Sequence, residues 1–410
     1  MTSTERFLRY ISFSTASDEK SETSPSTERQ LNLTRALAEE MRSLGLIDVY
    51  VDSCGNAIGS LPASPGVHAP TVAFIAHVDT SPAASGENVK AREVVFDGTD
   101  IVLGHGQILS EKQFPAMKAL HGQTLLVTDG STLLGADDKA GVAEIMTMAE
   151  TLIRENLPHG ELRLVFTTDE EVGRGTEGLD VETLGCRWGY TVDGGALGEY
   201  EYENFNAASA KVRFHGVGIH PGSAKGIMKN ASAIAAEFHS LLPADQVPEK
   251  TEGYEGFIHL TEMRGDVVEA ELEYIIRDHS RPLFEEKKET VRRAVQEIER
   301  RHGAGTVEAE IRDTYYNMRE KVEPHRHLLD RAEAAYRSCG VTPRAAAIRG
   351  GTDGAVLTWK GLPCPNLSTG GYNFHGVHEF IPAASLETMP RVLLHLAQSF
   401  VETNADGRNP

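Results

Sequence analysis

The chain has 410 residues, of which 24% are charged and 40% are hydrophobic, a composition typical of a soluble globular protein. A chain of this length is expected to divide into two domains rather than to form one core. Acidic residues outnumber basic ones by 60 to 40, which gives a net charge of −20. This charge argues against nucleic acids and acidic membranes as partners, because their phosphates would be repelled, but it is compatible with metal cations and with substrates that carry a free amine.

The cysteines and the apolar segments predict a cytoplasmic protein. The N-terminal residues lack the basic and apolar stretches of a secretory signal, and no apolar run approaches the roughly 20 residues needed to span a bilayer. The cysteines form no C-x-x-C pair and are expected to be ordinary thiols of a reducing compartment: Cys54, Cys186, Cys339 and Cys364.

The N-terminal half predicts two helices and two strands, followed by alternating strands and helices. One of these helices is expected to begin near Ser24-Pro25 and to end at Gly45, because proline suits a first helical turn and glycine a C-terminal end. Apolar residues at helical spacing predict a helix over 142–153. This alternation predicts an α/β domain with a mainly parallel sheet. Its buried strands are predicted from short apolar runs at residues 71–76, 161–166 and 190–192.

The middle of the chain predicts a second, smaller domain. Its elements follow in the order β-α-β-β-α-β, which is the order of the ferredoxin-like unit. We therefore expect a first part of the catalytic domain at 1–207, an inserted lid domain at 208–317, and a second part of the catalytic domain at 318–410. The predicted elements of the lid cover residues 210–216, 231–242, 256–263, 267–277, 282–302 and 306–316.

Acids and a histidine follow two of the predicted buried strands. His77 and Asp79 come directly after the first strand, and their spacing would let Asp79 accept a hydrogen bond from His77. Taken alone, this pair is better explained as a polar turn. Asp169, Glu170 and Glu171 follow the second strand, and three consecutive acids are costly unless a cation or a proton offsets their repulsion.

Three further segments also carry acids or histidines that could bind a metal. Asp137 and Asp138 open a predicted helix, where adjacent aspartates are most often caps. Asp193 follows the third strand, and His375 and His378 near the C-terminus could otherwise be surface residues. Histidines and carboxylates from several strand ends are the ligands of two-metal sites, and open α/β sheets place their sites at the carboxyl ends of strands. The segments together predict a metal site at this edge of the sheet.

Specific motifs along the whole chain resemble those of the two-zinc metallopeptidase family that includes aminoacylases and glutamate carboxypeptidase. Within this family the resemblance is strongest to the branch that acts on tripeptides. It implies a zinc-peptidase-like catalytic domain with a mainly parallel mixed sheet and an inserted ferredoxin-like lid. The motifs are AHVDTSP at 76–82, TLLGADDKAG at 132–141, TTDEEVGRG at 167–175, VDGG at 192–195, GIHPGSAK at 218–225, IRGGTDG at 348–354 and NFHGVHEF at 373–380.

The resemblance implies the ligands of two metal ions. These are expected to be two Zn²⁺ per chain, with Co²⁺ or Mn²⁺ as alternatives. Asp137 would bridge the ions, His77 and Asp193 would hold one of them, and Glu171 and His378 would hold the other. The family also implies a cis peptide bond between the two aspartates of the bridging motif, whereas Lys139 and His375 are left as supporting or structural residues.

The resemblance also implies residues that act beside the ligands. Glu170 would be the general base, and Asp79 would orient the metal-binding histidine. His220 of the lid would help to hold the tetrahedral oxyanion, although it could be an ordinary loop histidine. Arg277 and Arg349 could bind the C-terminal carboxylate of a peptide, since a guanidinium fork suits a carboxylate, or could form structural ion pairs.

The implied reaction is release of the N-terminal residue from tripeptides, with short peptides as partners. A closer alternative is an amidohydrolase or dipeptidase of the same family that acts on N-acyl amino acids or dipeptides. Residues 173–178 match the dinucleotide-binding pattern G-x-G-x-x-G, but the acids before them would repel a pyrophosphate. A metal-binding protein without hydrolytic activity would not need a general base beside a ligand. The sheet edge of the lid could pair with a second copy to form a homodimer.

Overall fold

The computed structural model describes residues 1–401 and divides the chain into two compact units. The first unit comprises Met1–Tyr202, Glu320–Ala346 and the chain from Thr352 onward. The second unit comprises Glu203–Arg319 and Ala347–Gly351. The second unit is thus slightly longer at both ends than the lid domain predicted at 208–317. It also includes a short later segment, Ala347–Gly351, which the sequence analysis assigned to the catalytic domain.

The helices agree in position with most of the predicted ones, although the helix expected from Ser24-Pro25 begins only at Gln30. Three short helices were not predicted: Val181–Leu184, Arg319–Val322 and Asp353–Trp359. The described helices are α1 (Ser3–Tyr10), α2 (Gln30–Ser43), α3 (Ala136–Arg154), α4 (Val181–Leu184), α5 (Ala231–Ser240), α6 (Arg281–His302), α7 (Arg319–Val322), α8 (His327–Ser338), α9 (Asp353–Trp359) and α10 (Ala383–Ser399).

The strands include all the predicted buried runs and several short ones that the sequence pattern did not reveal. They are β1 (Ile47–Val51), β2 (Ala57–Leu61), β3 (Val72–His77), β4 (Arg92–Val95), β5 (Ile101–Gly104), β6 (Gln107–Leu109), β7 (Thr124–Val127), β8 (Leu162–Thr167), β9 (Trp188–Gly194), β10 (Glu199–Asn204), β11 (Asn206–His215), β12 (Phe257–Gly265), β13 (Glu269–Asp278), β14 (Val307–Tyr315), β15 (Arg344–Ile348), β16 (Asn366–Ser368) and β17 (Phe380–Pro382).

The first unit is built on a mixed sheet with the strand order β1-β2-β8-β3-β9-β16-β10-β15. Strands β8, β3, β9 and β16 run parallel to their neighbours within this group, whereas β1 pairs with β2, β2 with β8, and β10 with β16 in antiparallel fashion. The centre of the sheet is thus built from parallel pairs. The α/β class and the mixed sheet that the sequence predicted are confirmed.

Strand β3 shows why the centre of this sheet is so apolar. Every residue of its sequence VAFIAH is buried, as expected for a parallel strand that is covered on both faces. Ala73 and Ile75 belong to a buried cluster with Leu357 of α9. Phe74 points to the opposite face and stacks on Tyr190 of β9, with ring centroids 6.0 Å apart.

The parallel arrangement brings several strand ends to one edge. His77, the last residue of β3, is the parallel partner of Thr167, the last residue of β8. At the next strands, Ser368 of β16 pairs with Gly194 of β9. Glu170 and Glu171 after β8, and Asp193 near the end of β9, therefore lie beside His77. This is the arrangement that the sequence predicted for a shared site.

A small antiparallel sheet, with the order β17-β7-β4, was not predicted from the sequence. Together with the hairpin β5–β6 it has its own buried cluster, which includes Phe96, Leu109, Met117 and Phe380. These strands have only three or four residues each, which is too short for a clear alternation of apolar and polar positions.

The second unit contains an antiparallel sheet with the order β12-β13-β11-β14, packed against α5 and α6. The element order is the predicted β-α-β-β-α-β. Strand β13 alternates between buried and more exposed residues, so only one face of the sheet is covered. Helix α6 begins where Ser280 accepts the Leu283 N–H, and it ends at Gly303, which has a φ of 98°.

None of the four cysteines is paired in a disulfide. Within residues 1–401, no helix is both long enough and apolar enough to cross a bilayer.

Candidate metal centre

His77 lies at the centre of the candidate site and is only 2% exposed. Its Nδ1 lies 3.1 Å from the carbonyl oxygen and 3.3 Å from a carboxylate oxygen of Asp79. Its Nε2 lies 2.9 Å from Asp137 and 3.4 Å from Asp193. The two acceptors at Nδ1 favour a proton on that nitrogen, so the ring presents Nε2 to the acids.

Asp137 and Asp138 lie at the start of α3, but their backbone torsion angles are not helical, and the peptide bond between them is cis, as the resemblance implied. The two carboxylates point to different partners. Asp137 contacts His77, whereas Asp138 accepts the His77 backbone N–H at 3.1 Å and the Gly141 N–H at 3.2 Å. Asp138 therefore caps the helix and fixes the end of β3, while Asp137 faces the site.

Glu170 and Glu171 lie in a 3₁₀ turn directly after β8. The residue before them, Asp169, has a left-handed φ of 62°. The Asp79 carboxylate accepts the backbone N–H of Glu170 at 3.1 Å and that of Glu171 at 3.2 Å. Asp79 thus contacts both the ring of His77 and the turn that carries the two glutamates.

Asp193 is the last acid of the group and belongs to β9. Its backbone N–H donates to Asn366 Oδ1 of β16 at 3.1 Å. The Asn366 amide in turn donates to Glu201 at 2.6 Å. Neighbouring strands therefore hold Asp193 by its backbone and leave its carboxylate directed toward His77.

Two overlapping sets of ligand atoms come together around His77. His77, Asp137 and Glu171 form one set, and His77, Glu170 and Asp193 form the other, with the ligand atoms of each set within 4.8 Å of one another. The predicted ligands His77, Asp137, Glu171 and Asp193 are thus brought together, with Glu170 among them.

Burial and mutual repulsion dominate the acid–base behaviour of this site. Burial and the charge of Asp193 hold the pKa of Glu170 well above its usual value. Burial raises the pKa of Asp193 to about 7, although His77 opposes this shift. Burial would also raise the pKa of Asp137, but hydrogen bonds from His375 and His77 outweigh it and lower that pKa. Glu170 and Asp193 therefore lack sufficient positive charge nearby, whereas the two histidines supply it to Asp137.

A divalent cation fits these residues. Histidine nitrogen and carboxylate oxygen are the ligands that zinc-like ions take. Glu171 Oε1 is buried and has no hydrogen-bond partner among the residues that the structure describes. Such an atom is costly to leave without a partner, and a bound cation would satisfy it while favouring the ionised carboxylates.

His375 takes the position that the sequence analysis gave to His378. The His375 Nε2 lies 3.0 Å from Asp137 and 3.0 Å from Glu171. These two hydrogen bonds raise the pKa of His375 to about 10. The ring of His378 instead lies against Phe114, with ring centroids 5.2 Å apart.

The backbone conformation of this segment explains why His375, and not His378, faces the acids. Asn373 and His375 both have left-handed φ values, 56° and 64°. The Asn373 side chain donates to the carbonyl of His378 at 3.2 Å, which closes a tight turn. The turn directs His375 toward the acids, and the spacing of the two histidines in the sequence does not reveal its shape.

The remaining predicted residues belong to the second unit. His220 is exposed, and its Nδ1 accepts the Gly222 N–H at 3.1 Å. Arg277 is half-buried and donates to the carbonyls of Ala208 and Ile276 at 3.1 and 2.9 Å.

Arg349 is engaged by a loop of its own unit. Its guanidinium donates to the carbonyls of Gly253 and Glu255 at 2.7 and 2.8 Å and to the Thr251 hydroxyl at 3.1 Å. It also lies over the ring of Phe205, 5.1 Å from the centroid. These contacts engage the Arg349 fork with the loop, and its binding of a peptide carboxylate stays a prediction from the sequence.

Glu379 and Lys139 are both buried beside the site. The sequence motifs left Lys139 as a supporting or structural residue and predicted no role for Glu379. The Glu379 carboxylate accepts the backbone N–H groups of the loop before Asp137. Burial lowers the pKa of Lys139 to about 7, opposed by the charges of Glu379 and Asp79. Both residues lie inside the motifs that carry the resemblance, and that position was the available signal.

The glycines of the G-x-G-x-x-G pattern have a structural explanation. Gly173 and Gly178 have left-handed φ values of 73° and 79°. A Cβ at Gly175 would lie 2.4 Å from the Asp353 carboxylate, which also accepts the Thr167 hydroxyl at 2.9 Å. The pattern therefore reflects tight turns and close packing beside the acids.

Comparison with known proteins agrees with this fold. Residues 129–399 match the model of peptidase family M20/M25/M40. The chain also superimposes on the crystal structure of aminopeptidase PepT from Bacillus cereus, with a TM-score of 0.76 at 23% identity over 97% of this chain and 98% of that chain. A tripeptidase from Staphylococcus aureus gives a TM-score of 0.78 at 22% identity over 98% of both chains.

The chain belongs to peptidase family M20/M25/M40. Within this family it is similar to peptidase T: it is 50% identical to peptidase T of Escherichia fergusonii over 407 residues, which cover 98% of this chain and 99% of that protein. It is also 50% identical to peptidase T of Caldanaerobacter subterraneus over 400 residues, or 97% and 98% of the two chains. The family resemblance expected from the sequence motifs is confirmed.

Proposed function

We propose that this protein is a metal-dependent aminopeptidase that releases the N-terminal residue of tripeptides. The observation that carries the proposal is the convergence of His77 with the carboxylates of Asp137, Glu171 and Asp193, with Glu170 beside them. The near full-length similarity to peptidase T supports peptides as the substrates. A chain with a net charge of −20 also suits substrates that carry a free amine.

Two metal ions, which we propose to be Zn²⁺, would be held by this set of residues. Asp137 would bridge them, with His77 and Asp193 on one side, and with Glu171 and His375, in place of His378, on the other. When bound, the ions would supply a Lewis acid for the scissile carbonyl and make a water molecule more acidic.

Glu170 would act as the general base. It would accept the proton of the attacking water and later deliver it to the departing amine. Its raised pKa, caused first by burial and then by the charge of Asp193, suits a carboxylate that must hold a proton and release it.

Asp79 would position the other groups rather than react. It holds the ring of His77 and the backbone of Glu170 and Glu171 at once, so its removal would disturb both the ligand and the base. From the second unit, we retain His220 as the proposed oxyanion donor and Arg277 as the proposed partner of the peptide carboxylate.

The test is hydrolysis of di-, tri- and tetrapeptides with free and blocked N-termini, before and after chelation and zinc return. Release of the first residue from unblocked tripeptides, abolished by chelation and restored by zinc, is the expected result. Cleavage of N-acyl amino acids without peptide turnover would instead support the amidohydrolase alternative.

A substitution tests the role of the base in the same assay. Glu170→Gln should lower kcat by roughly 10²–10⁴-fold, because the proton acceptor is lost. The exposed Glu177→Gln serves as the control in the same segment and should leave kcat unchanged. A Glu170→Gln protein that is folded, metal-loaded and fully active would exclude Glu170 as the base.

A further inference from the structure

The loop that delivers Asp137 to the candidate site is held by a single buried carboxylate. Glu379 is 1% exposed, and it follows the turn that contains His375. One of its oxygens accepts the N–H groups of Leu134 and Gly135 at 2.6 and 2.8 Å, and the other accepts the Asp137 N–H at 3.0 Å. Three backbone donors in one loop therefore converge on one side chain.

This arrangement suits a carboxylate and no other side chain. All three partners are N–H donors, and an ionised carboxylate offers acceptors at both oxygens. A glutamine would direct its NH₂ group at one of the donors. Gly135 has a φ of 81°, so the loop follows a path that helical hydrogen bonds do not define, and Glu379 supplies partners that this path lacks.

The same short segment holds Asp137 from two directions. His375 contacts the Asp137 carboxylate at 3.0 Å, and Glu379 accepts the Asp137 backbone N–H at 3.0 Å. The segment is itself closed by the Glu379 N–H, which donates to the Gly376 carbonyl at 3.1 Å. A shift of Glu379 would therefore move both the backbone of Asp137 and the turn that carries His375.

A buried lysine lies in the same region. Lys139 is 1% exposed, and its ammonium donates to the Phe13 carbonyl at 2.8 Å. Lys139 interacts electrostatically with Glu379 and Asp79, the two carboxylates that hold the backbone around the site.

We propose that Glu379 is a positioning residue, which sets the geometry of the Asp137 loop for metal binding without contacting metal or substrate itself. This inference rests on the proposed function, since it assigns Asp137 as a metal ligand. Beyond that function, it assigns to Glu379 an effect on the proposed bridging ligand Asp137 that is transmitted through the Asp137 backbone N–H.

The test compares Glu379→Gln with a matched control, Glu144→Gln. Both replace a fully buried carboxylate by an amide, but Glu144 has no hydrogen-bond partner among the described residues. The measurements are Zn²⁺ affinity of the metal-free proteins by competition with a chromophoric chelator, the visible spectrum with Co²⁺, and hydrogen exchange of the Leu134, Gly135 and Asp137 amides.

Glu379→Gln should weaken Zn²⁺ affinity by roughly 10–100-fold, the usual effect of removing a residue that orients a ligand. The Co²⁺ spectrum should change. Exchange should be about 10-fold faster or more at the amides that the new NH₂ group faces, either Asp137 or the pair Leu134 and Gly135, since these lose their acceptor. On tripeptides, kcat should fall while KM changes little. Glu144→Gln should match the wild type in metal affinity, spectrum and kcat.

Wild-type metal affinity and wild-type exchange in a folded Glu379→Gln protein would overturn the proposal. If Glu379→Gln does not fold, Glu379→Asp replaces it, because it keeps the charge but shortens the reach by one methylene group. Unchanged metal affinity in Glu379→Asp would also overturn the proposal. The metal and exchange measurements need no peptide turnover, so a failure of the proposed peptidase function would be recognised separately.

Discussion

At the scale of single residues, the two histidines of the segment 373–380 differ in what they contact. His375 lies 3.0 Å from both Asp137 and Glu171, whereas the ring of His378 packs on Phe114. The prediction is that His375→Ala lowers Zn²⁺ affinity by roughly 10-fold or more, because a ligand is lost.

His378→Ala is the matched control for this experiment, since it removes the same side chain from the same segment. Its Zn²⁺ affinity, measured by chelator competition, should stay within about 3-fold of the wild type. The reverse result, with His378 essential and His375 dispensable for metal binding, would restore the ligand that the sequence motif suggested.

Glu144 is a buried residue that the proposed reaction does not use. Burial holds the pKa of its carboxyl well above the usual value, and neither oxygen has a hydrogen-bond partner among the described residues. In the unfolded chain this group loses its proton above pH about 4.3, whereas the folded protein retains it. The unfolded state then binds fewer protons, so stability falls as pH rises toward the folded-state pKa.

Glu144→Gln should therefore stabilise the protein increasingly with pH. The slope of the difference is at most about 1.4 kcal/mol per pH unit. Unfolding midpoints of metal-free protein between pH 5 and 8 would measure it, with the exposed Glu155→Gln as control. A stability difference that does not change over this range would contradict the prediction.

At the scale of elements, hydrogen bonds connect the start of α2 to the turn that follows β8. The Gln30 side chain donates to the Asp169 carboxylate at 2.6 Å and accepts the Asp169 N–H at 3.0 Å. The Ser26 N–H donates to the same carboxylate at 2.6 Å. Asp169 is 1% exposed and left-handed, so these contacts fix the backbone directly before Glu170.

Gln30→Ala should make the backbone of this turn less well fixed, because it removes both hydrogen bonds between Gln30 and Asp169. The Asp169 N–H would lose its acceptor inside the protein, at a cost of about 1–3 kcal/mol in the free energy of unfolding. We also expect kcat to fall, because Glu170 and Glu171 share the turn, while Asn32→Ala on the exposed side of α2 should change neither value. Equal stability and kcat in the two variants would show that the hydrogen bonds between Gln30 and Asp169 do not position the turn.

At the scale of the whole molecule, all the proposed metal ligands lie in the first of the two compact units. Metal that binds only the folded state stabilises it by about 2.7 kcal/mol at a free concentration 100-fold above Kd. Chelation should therefore speed amide exchange in β3, β9 and the segment 373–380, whereas exchange in β11 and β13 of the second unit should change little.

Hydrogen-exchange mass spectrometry of metal-loaded and chelated protein would measure this pattern. Return of Zn²⁺ is the control, since it should restore slow exchange in the first unit. An equal response of both units would show that metal binding stabilises the molecule as a single cooperative unit.

Local sequence patterns were sufficient to predict much of the fold. Apolar runs such as the one in β3 need burial on both faces, and the spacing of apolar residues in α3 and α6 fits only a helix. The order of elements in the second unit then followed directly. The short strands β4 to β7 escaped prediction because each has too few residues to show a period. The sheet that contains β4 and β7 also depends on the distant strand β17.

The sequence by itself determined the chemistry of this protein: which acids and histidines stand at strand ends, and the family to which these motifs belong. Only the tertiary structure decided which of them meet. The choice of His375 over His378 depends on left-handed backbone at residues 373 and 375, and the engagement of Arg349 depends on a loop about 95 residues away in sequence. The support that Glu379 gives to Asp137 joins residues 242 positions apart, a contact set by chain topology that no local pattern encodes.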